Sequence, residues 1–321
     1  MTATTIPLDA VDTGRARPRK PEWLKIRAGG GPRYVGVKEV VRERGLHTVC
    51  EEAHCPNMGE CWGHGTATFM ILGDTCTRGC RYCAVNKGMP TELDLDEPAR
   101  LADAVVAMGL SYAVITSVDR DDLSDGGAGI FAECVREIRR RSPGTAVELL
   151  IPDFQGNPAA LDTVLEAAPD VLAHNVETVP RLYRRARGGG VYATSLGLLD
   201  RARRRAPGAV TKTGMMLGLG EETDEVLAVM RDLVERRVDI LTLGQYLRPS
   251  DWHLEVARFV HPDEFAEYAR LGEAMGFAHV EAGPLVRSSY RADRQLLASR
   301  RAAGERADTD PAVGGVVAVA G

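Results

Sequence analysis

The feature that most constrains how this chain can fold is an alternation repeated six times along its middle: a short run rich in β-branched and apolar residues, then a longer amphipathic stretch. The runs fall at 68–72, 112–118, 147–151, 171–176, 212–217 and 240–243. Runs that are apolar on both faces mark strands buried on both sides, as in parallel sheets covered by helices. The stretches between them predict helices over 96–109, 127–141, 158–168, 179–186, 223–237 and 262–275. Asp96-Glu97-Pro98 opens the first of these, Leu101, Val105 and Met108 share one face, and Gly109 stops it. In the 223–237 stretch, Asp224 and Glu225 occupy the first turn and Arg236-Arg237 the last, each sign matched to the helix dipole. Such a succession specifies an α/β fold with a parallel sheet. Periodicity leaves open whether that sheet curves into a partial barrel or stays flat. A seventh short strand is predicted at 278–281.

Length and hydrophobic content, 321 residues and 44%, allow one main core with appendages. A net charge of −5 disfavours nucleic acid as a partner, because phosphate binding needs clustered excess Lys and Arg. The basic clusters at 136–141, 181–187 and 201–205 fall on segments of helical periodicity and read as solvated faces. No apolar run is long enough to span a bilayer, and the N-terminus lacks the order of a secretory signal. Arginine far outnumbers the five lysines, a bias of GC-rich bacterial genomes, so a cytoplasmic location is expected. Residues 1–20 and 300–321 lack periodicity and are expected to be flexible.

Six of the seven cysteines crowd into 50–83, and thiolates gathered this way in a reducing compartment point to metal. Cys76, Cys80 and Cys83 stand at C-x3-C-x2-C spacing directly after the first predicted strand, on the loop where parallel α/β barrels place their chemistry. Three thiolates cap three irons of a cubane and leave the fourth open to an exogenous ligand. Structural zinc is the competing reading, but it prefers four protein ligands, and this loop supplies no second knuckle. Cys50, Cys55 and Cys61 form a second triplet, C-x4-C-x5-C, before the first strand. Its fourth ligand must come from elsewhere; His47, His54 and His64 are near in sequence, and spacing selects none of them. Cys134 lies between Ile130 and Ile138 on a helical apolar stripe and reads as a core residue.

The first triplet, with Tyr82 before its last cysteine, resembles the signature of the radical S-adenosylmethionine (SAM) superfamily. Further segments resemble one of its families, lipoyl synthase: 20–25 (KPEWLK), 46–57 (LHTVCEEAHCPN), 65–73 (GTATFMILG), 114–123 (VITSVDRDDL), 151–154 (IPDF), 174–178 (HNVET), 211–221 (TKTGMMLGLGE), 244–250 (GQYLRPS) and 286–290 (VRSSY). The likeness covers nearly everything from 20 to 293, with small departures such as Met215 and Arg248. It implies a partial (βα)6 TIM-like barrel over 67–277, an N-terminal extension over 21–66 carrying an auxiliary cluster, and a C-terminal extension over 278–299. It also implies two 4Fe-4S clusters and SAM as cosubstrate. The cluster on Cys76, Cys80 and Cys83 would cleave SAM to a 5'-deoxyadenosyl radical, which takes hydrogen from an octanoyl chain on a lysine of a lipoyl carrier protein. Sulfur for the sixth and eighth carbons would come from the cluster on Cys50, Cys55 and Cys61, its last iron ligated by a serine of the Arg-Ser-Ser-Tyr motif, assigned to Ser288 ahead of Ser289. A ferredoxin- or flavodoxin-type donor and an iron-sulfur carrier protein would serve it.

The chemistry is consistent from first principles: an alkyl C–H bond offers neither acidity nor a leaving group, so a cofactor must open it. Asn175, Glu177, Arg187 and Lys212 are candidate contacts to the ribose or carboxylate of SAM; each could equally be a loop hydrogen bond or a paired charge. The acidic loop 119–127 is expected on the same face, while Gly218-Leu219-Gly220 lacks a full phosphate-binding fingerprint. A cluster carrier without chemistry of its own, and a radical enzyme acting on another acyl substrate, are the alternative readings.

Overall fold

The computed structural model describes residues 19–25, 32–52, 55, 57–63 and 67–309. In chain order the strands are β1 (His47–Thr48), β2 (Thr68–Ile71), β3 (Thr75–Cys76), β4 (Asn86–Lys87), β5 (Tyr112–Ser117), β6 (Ala146–Leu150), β7 (Val171–Ala173), β8 (Val210–Leu217), β9 (Ile240–Gln245) and β10 (His279–Gly283). The helices are α1 (Pro32–Glu43), α2 (Val49–Glu52), α3 (Met58–Gly63), α4 (Glu97–Ala107), α5 (Ala128–Arg141), α6 (Pro158–Glu166), α7 (Pro180–Ala186), α8 (Tyr192–Arg205), α9 (Thr223–Glu235), α10 (Pro262–Met275) and α11 (Ala292–Thr309).

The main sheet runs β1-β2-β5-β6-β7-β8-β9-β10 without a switch in direction, while β3 and β4 make a small ladder apart. β1 is antiparallel to β2, and every later pairing in the sheet is parallel. A monotonic order with helical crossovers is barrel topology, here left open between β10 and the β1–β2 edge. Local chemistry fixes the helix starts. Asn157 caps α6, its Oδ1 accepting from the N–H groups of Ala159 and Ala160 at 3.0 and 3.3 Å, with Pro158 in the first turn. The Glu225 carboxylate accepts the Glu222 N–H at 2.9 Å where α9 begins. Cys134 is fully buried on α5, as its stripe requires.

The structure differs from the sequence expectations at identifiable places. β7 ends at Ala173, and the chain continues beside β8 without regular pairing: the His174 N–H donates to the Lys212 carbonyl at 3.0 Å, and Glu177, at φ +67°, makes an isolated parallel bridge with Met215. The tail expected to be loose from 300 is helical to Thr309, since α11 continues through that point. Residues 310–321 and 1–18 lie outside the described part. α1 had no counterpart in the periodicity, yet it packs Tyr34 against the fully buried Trp62 of α3, ring centroids 5.1 Å apart. The basic clusters are largely paired: Arg139 with Asp170, Arg141 with Glu137, Arg201 with Asp162 and Arg181 with Glu225.

After β10 the chain passes across the open side of the barrel. It lies so close to β9 that a Cβ on Gly244 would meet the Val286 carbonyl oxygen at 2.1 Å, which restricts that position to glycine. Asn57 Nδ2 donates to the Leu285 carbonyl at 2.6 Å and Thr68 Oγ1 to Ser289 Oγ at 2.8 Å, so N- and C-terminal extensions meet over β2.

Candidate active site

The first cysteine triplet lies beyond the end of β2. There Leu72 and Gly73 turn the chain with φ of +69° and +89° and the β3–β4 ladder folds the loop back on itself. Gly127 makes room for that turn, since a Cβ there would meet Leu72 Cδ1 at 2.2 Å. The Cys76 sulfur accepts the N–H groups of Arg78 and Asp119, each at 3.4 Å. Arg78 is the keystone of the loop. Its guanidinium forks onto Asp121 at 2.7 and 2.8 Å and onto Asp153 at 2.9 and 2.7 Å, both Arg78 and Asp153 being buried. Burial works against the Arg78 charge, but the bonds from Asp121 and Asp153 prevail and hold its pKa raised.

Three outside elements brace the same loop. The Arg81 N–H donates to Ala186 at the end of α7, and Leu254 N–H donates to the Arg81 carbonyl. His253 Nε2 donates to the Cys83 carbonyl at 2.8 Å while Ser250 engages its other ring nitrogen. Trp252, nearly half exposed, stacks between Arg81 (4.5 Å to the ring centroid) and Lys87 (2.8 Å). Burial pushes the thiols up, Cys80 to about 12 and Cys83 to about 11, and raises Cys76 with help from Asp119. Thiols this desolvated become thiolates only when a cation replaces their protons.

Beside this loop the structure gathers three of the four residues expected to contact SAM. Glu177 is raised by burial, against the pull of Arg187 and hydrogen bonds from Asn175 and Tyr82. Arg187 Nη1 donates to the Asn175 carbonyl at 2.7 Å and to the Tyr183 hydroxyl at 3.1 Å. Its turn packs on the cysteine loop, a Cβ on Gly188 meeting the Gly79 carbonyl oxygen at 3.1 Å. Lys212 is a correction. Its Nζ donates to Glu148 at 2.8 Å, both side chains are 1% exposed, and the Tyr112 hydroxyl donates to the same carboxylate at 2.6 Å. That pairing consumes the ammonium inside the barrel, so Lys212 is not presented to the recess.

The second triplet lines a recess of about 460 Å³, open mouth included, with Cys50, Cys55 and Cys61 on one side and Arg287, Ser289 and Tyr290 on the other. Burial pushes Cys50 to about 11 and also raises Cys55. The two serines of the Arg-Ser-Ser-Tyr segment have different partners. Ser289 lines the recess, whereas Ser288 exchanges hydrogen bonds with Asn175, accepting from Nδ2 at 2.8 Å and donating to Oδ1 at 3.1 Å. Both serines are central residues of a turn closed by the Tyr290 N–H donating to the Arg287 carbonyl at 2.9 Å, and the Ser289 hydroxyl accepts from Thr68 Oγ1 at 2.8 Å. His47 bonds Glu52 at 3.3 Å, and His54 and His64 lie outside the described residues. Among the described residues no three His, Cys, Asp or Glu side chains converge on one metal ion. Soft, desolvated donors arranged around a space rather than a point fit a cubane better than zinc.

Sequence reasoning passed over Arg78, Asp153, His253 and Arg287. Arg78 carried a signal, a lone cation between two cysteines of an apolar loop; His253 carried none, since its partner is a backbone carbonyl 170 positions away.

A family model for the N-terminal domain of lipoyl synthase of the radical SAM family matches residues 9–55, and one for the radical SAM superfamily matches 70–233. Lipoyl synthase of Rubrobacter xylanophilus is 57% identical over 289 residues, covering 90% of each chain. The chain belongs to the lipoyl synthase family. Lipoyl synthase of Hahella chejuensis is likewise 57% identical, over 87% of this chain and 85% of its own. Among solved structures, HydG, a maturase of the [FeFe]-hydrogenase, aligns with TM-score 0.52 at 14% identity over 72% of this chain and 54% of its own. Streptococcus suis SuiB bound to S-adenosylmethionine aligns at 0.51 and 9%, over 68% and 49%. These two support the partial-barrel fold. Lipoyl synthases use two 4Fe-4S clusters and SAM and act on an octanoylated lipoyl domain. No described helix is long and apolar enough to cross a membrane.

Proposed function

We propose that the two recesses divide the lipoyl synthase reaction between them: Cys76, Cys80 and Cys83 hold the cluster that engages SAM, and Cys50, Cys55 and Cys61 hold the one that gives up sulfur. The observation that carries this reading is the pair of cysteine triplets, one on a loop braced by the barrel and one lining a recess with the Arg-Ser-Ser-Tyr segment. When bound, the clusters and SAM supply the one-electron chemistry that an alkyl C–H bond demands and the sulfur that replaces its hydrogen.

The chain's own residues then aim and shield. Arg78 and His253 hold the first loop rigid, so a ligand on the open corner keeps one orientation. Asn175, Glu177 and Arg187 form the polar wall suited to the amino-acid or ribose part of SAM. In the second recess the hydroxyl that completes the donor set is Ser289, a hard oxygen that an iron releases easily. Ser288 instead fastens the segment to Asn175 and so ties one recess to the other. The functional divisions are 21–66, 67–277 and a C-terminal extension from 278 that includes α11. A reduced ferredoxin- or flavodoxin-type donor supplies the electron, with the exposed Arg81–Trp252–Lys87 stack suited to an acidic carrier. An iron-sulfur carrier protein restores the auxiliary cluster, and the reaction takes place in the cytoplasm.

The test is incubation of the anaerobically reconstituted protein with an octanoylated lipoyl domain, SAM and reductant, followed by mass analysis of the lysine adduct. Gain of two sulfurs with loss of two hydrogens is expected. SAM cleavage with no change on the lysine would assign the chain another substrate.

A further inference from the structure

Two arginines line the second recess, and the structure treats them differently. Arg291 is neutralised, its Nη2 lying 3.0 Å from Glu60, whose carboxylate also accepts from the Tyr290 hydroxyl at 3.2 Å. Arg287 has no carboxylate partner among the described residues; its one hydrogen bond is from Nη1 to the neighbouring Val286 carbonyl at 2.7 Å. The side chain is half-buried. It lies over β9, where a Cβ on Gly244 would come within 3.3 Å of Nη1, and it lines the recess. Arg287 and Cys55 line the same recess. Asp293 also lines it, and no ion pair joins it to Arg287 among the described residues. An unpaired, desolvated cation is costly, and folds keep one where an anion completes the site.

We propose that Arg287 is a positioning residue for the auxiliary centre, its guanidinium serving as the fixed counter-charge beside Cys55. Three thiolates and a deprotonated serine give a cubane there a net negative charge, and an Arg fork donates to sulfur without competing for iron. Arg287 thus ties retention of the cluster to closure of the C-terminal segment, because the cation arrives on the same turn as Ser289. Opening that segment removes oxygen ligand and counter-charge together. The inference rests on the assignment of an auxiliary cluster to Cys50, Cys55 and Cys61.

The test compares wild type, Arg287→Lys and Arg287→Gln, each reconstituted anaerobically as the full chain. The readouts are iron per chain, release of auxiliary iron to a chelator, and the midpoint potential of the auxiliary cluster by EPR-monitored titration. Arg287→Gln is expected to release auxiliary iron about tenfold faster and to have a lower midpoint potential, since loss of a nearby cation disfavours reduction. Arg287→Lys should keep most of the retention, because it keeps the charge. Thermal melting of the apoproteins identifies a variant that misfolds, and the Lys variant then carries the comparison through its potential. Unchanged release and potential in Arg287→Gln would overturn the role of Arg287 while leaving the cluster assignment intact. About four irons in the wild type instead of about eight would overturn the cluster assignment itself.

Discussion

The two cysteine recesses are built on opposite principles. The first is local: its three thiols fall within one loop, and Arg78, His253 and the Arg187 turn lock that loop to the barrel. The second is assembled from the two ends of the chain, joined by contacts such as Asn57 to Leu285, 228 positions apart, and Thr68 to Ser289. A centre that must turn over repeatedly needs a rigid seat, whereas one that surrenders sulfur needs a seat that can part. Contacts spanning the chain can separate without unfolding the barrel, because each is a single bond worth about 1 kcal/mol.

The largest effects should separate the recesses most sharply. Cys80→Ala is expected to reduce SAM cleavage to background, while Cys55→Ala leaves cleavage measurable and abolishes sulfur transfer. Loss of both activities in both variants, measured as 5'-deoxyadenosine and as lysine adduct mass, would mean that the recesses are not independent. Next comes the brace. Arg78→Met strands the buried Asp153 carboxylate and should cost about 3–5 kcal/mol of stability, read from urea unfolding. In the second recess, by contrast, Asn57→Ala should cost only about 1 kcal/mol.

A smaller effect sharpens the contrast within the Arg-Ser-Ser-Tyr segment. Ser289→Ala should speed loss of auxiliary iron to a chelator severalfold, and Ser288→Ala should do so less, because Ser289 and not Ser288 lines the recess. The reverse order would return the ligand role to Ser288. A further effect is a pH dependence set by the buried His174. Burial lowers His174 to about 3, with Arg187 adding to the shift, so the folded imidazole stays neutral. Between the ordinary value near 6.5 and about 3 the unfolded chain binds a proton that the folded one does not, so this contribution is lost as pH falls through that window. The urea midpoint should decline from pH ~7 to ~5, and His174→Asn should flatten the decline.

Much of the fold was legible because strand and helix periodicities differ, and the parallel strands matched their runs to within a few residues, β7 stopping at Ala173 before the isolated Glu177–Met215 bridge. The cysteines were legible for another reason: their spacing is local, and thiolates have few other uses in such density. What sequence could not supply was orientation. Lys212 sits on a predicted strand, but whether its ammonium reaches a cleft or a buried Glu148 depends on a carboxylate 64 positions away. Ser288 and Ser289 are adjacent and chemically identical, and only the path of the segment past Gly244 decides which one faces the thiols. α11 carries few apolar residues, Leu296 among them, so its helix had no clear stripe to announce it.

The most direct measurement is the iron and acid-labile sulfide content of the anaerobically reconstituted wild type, beside chains in which either cysteine triplet is replaced by alanine. Two cubanes predict about eight irons in the wild type and about four in each triplet variant. Zinc in place of iron, or the same count in wild type and either variant, would contradict the division of the molecule into two cluster sites.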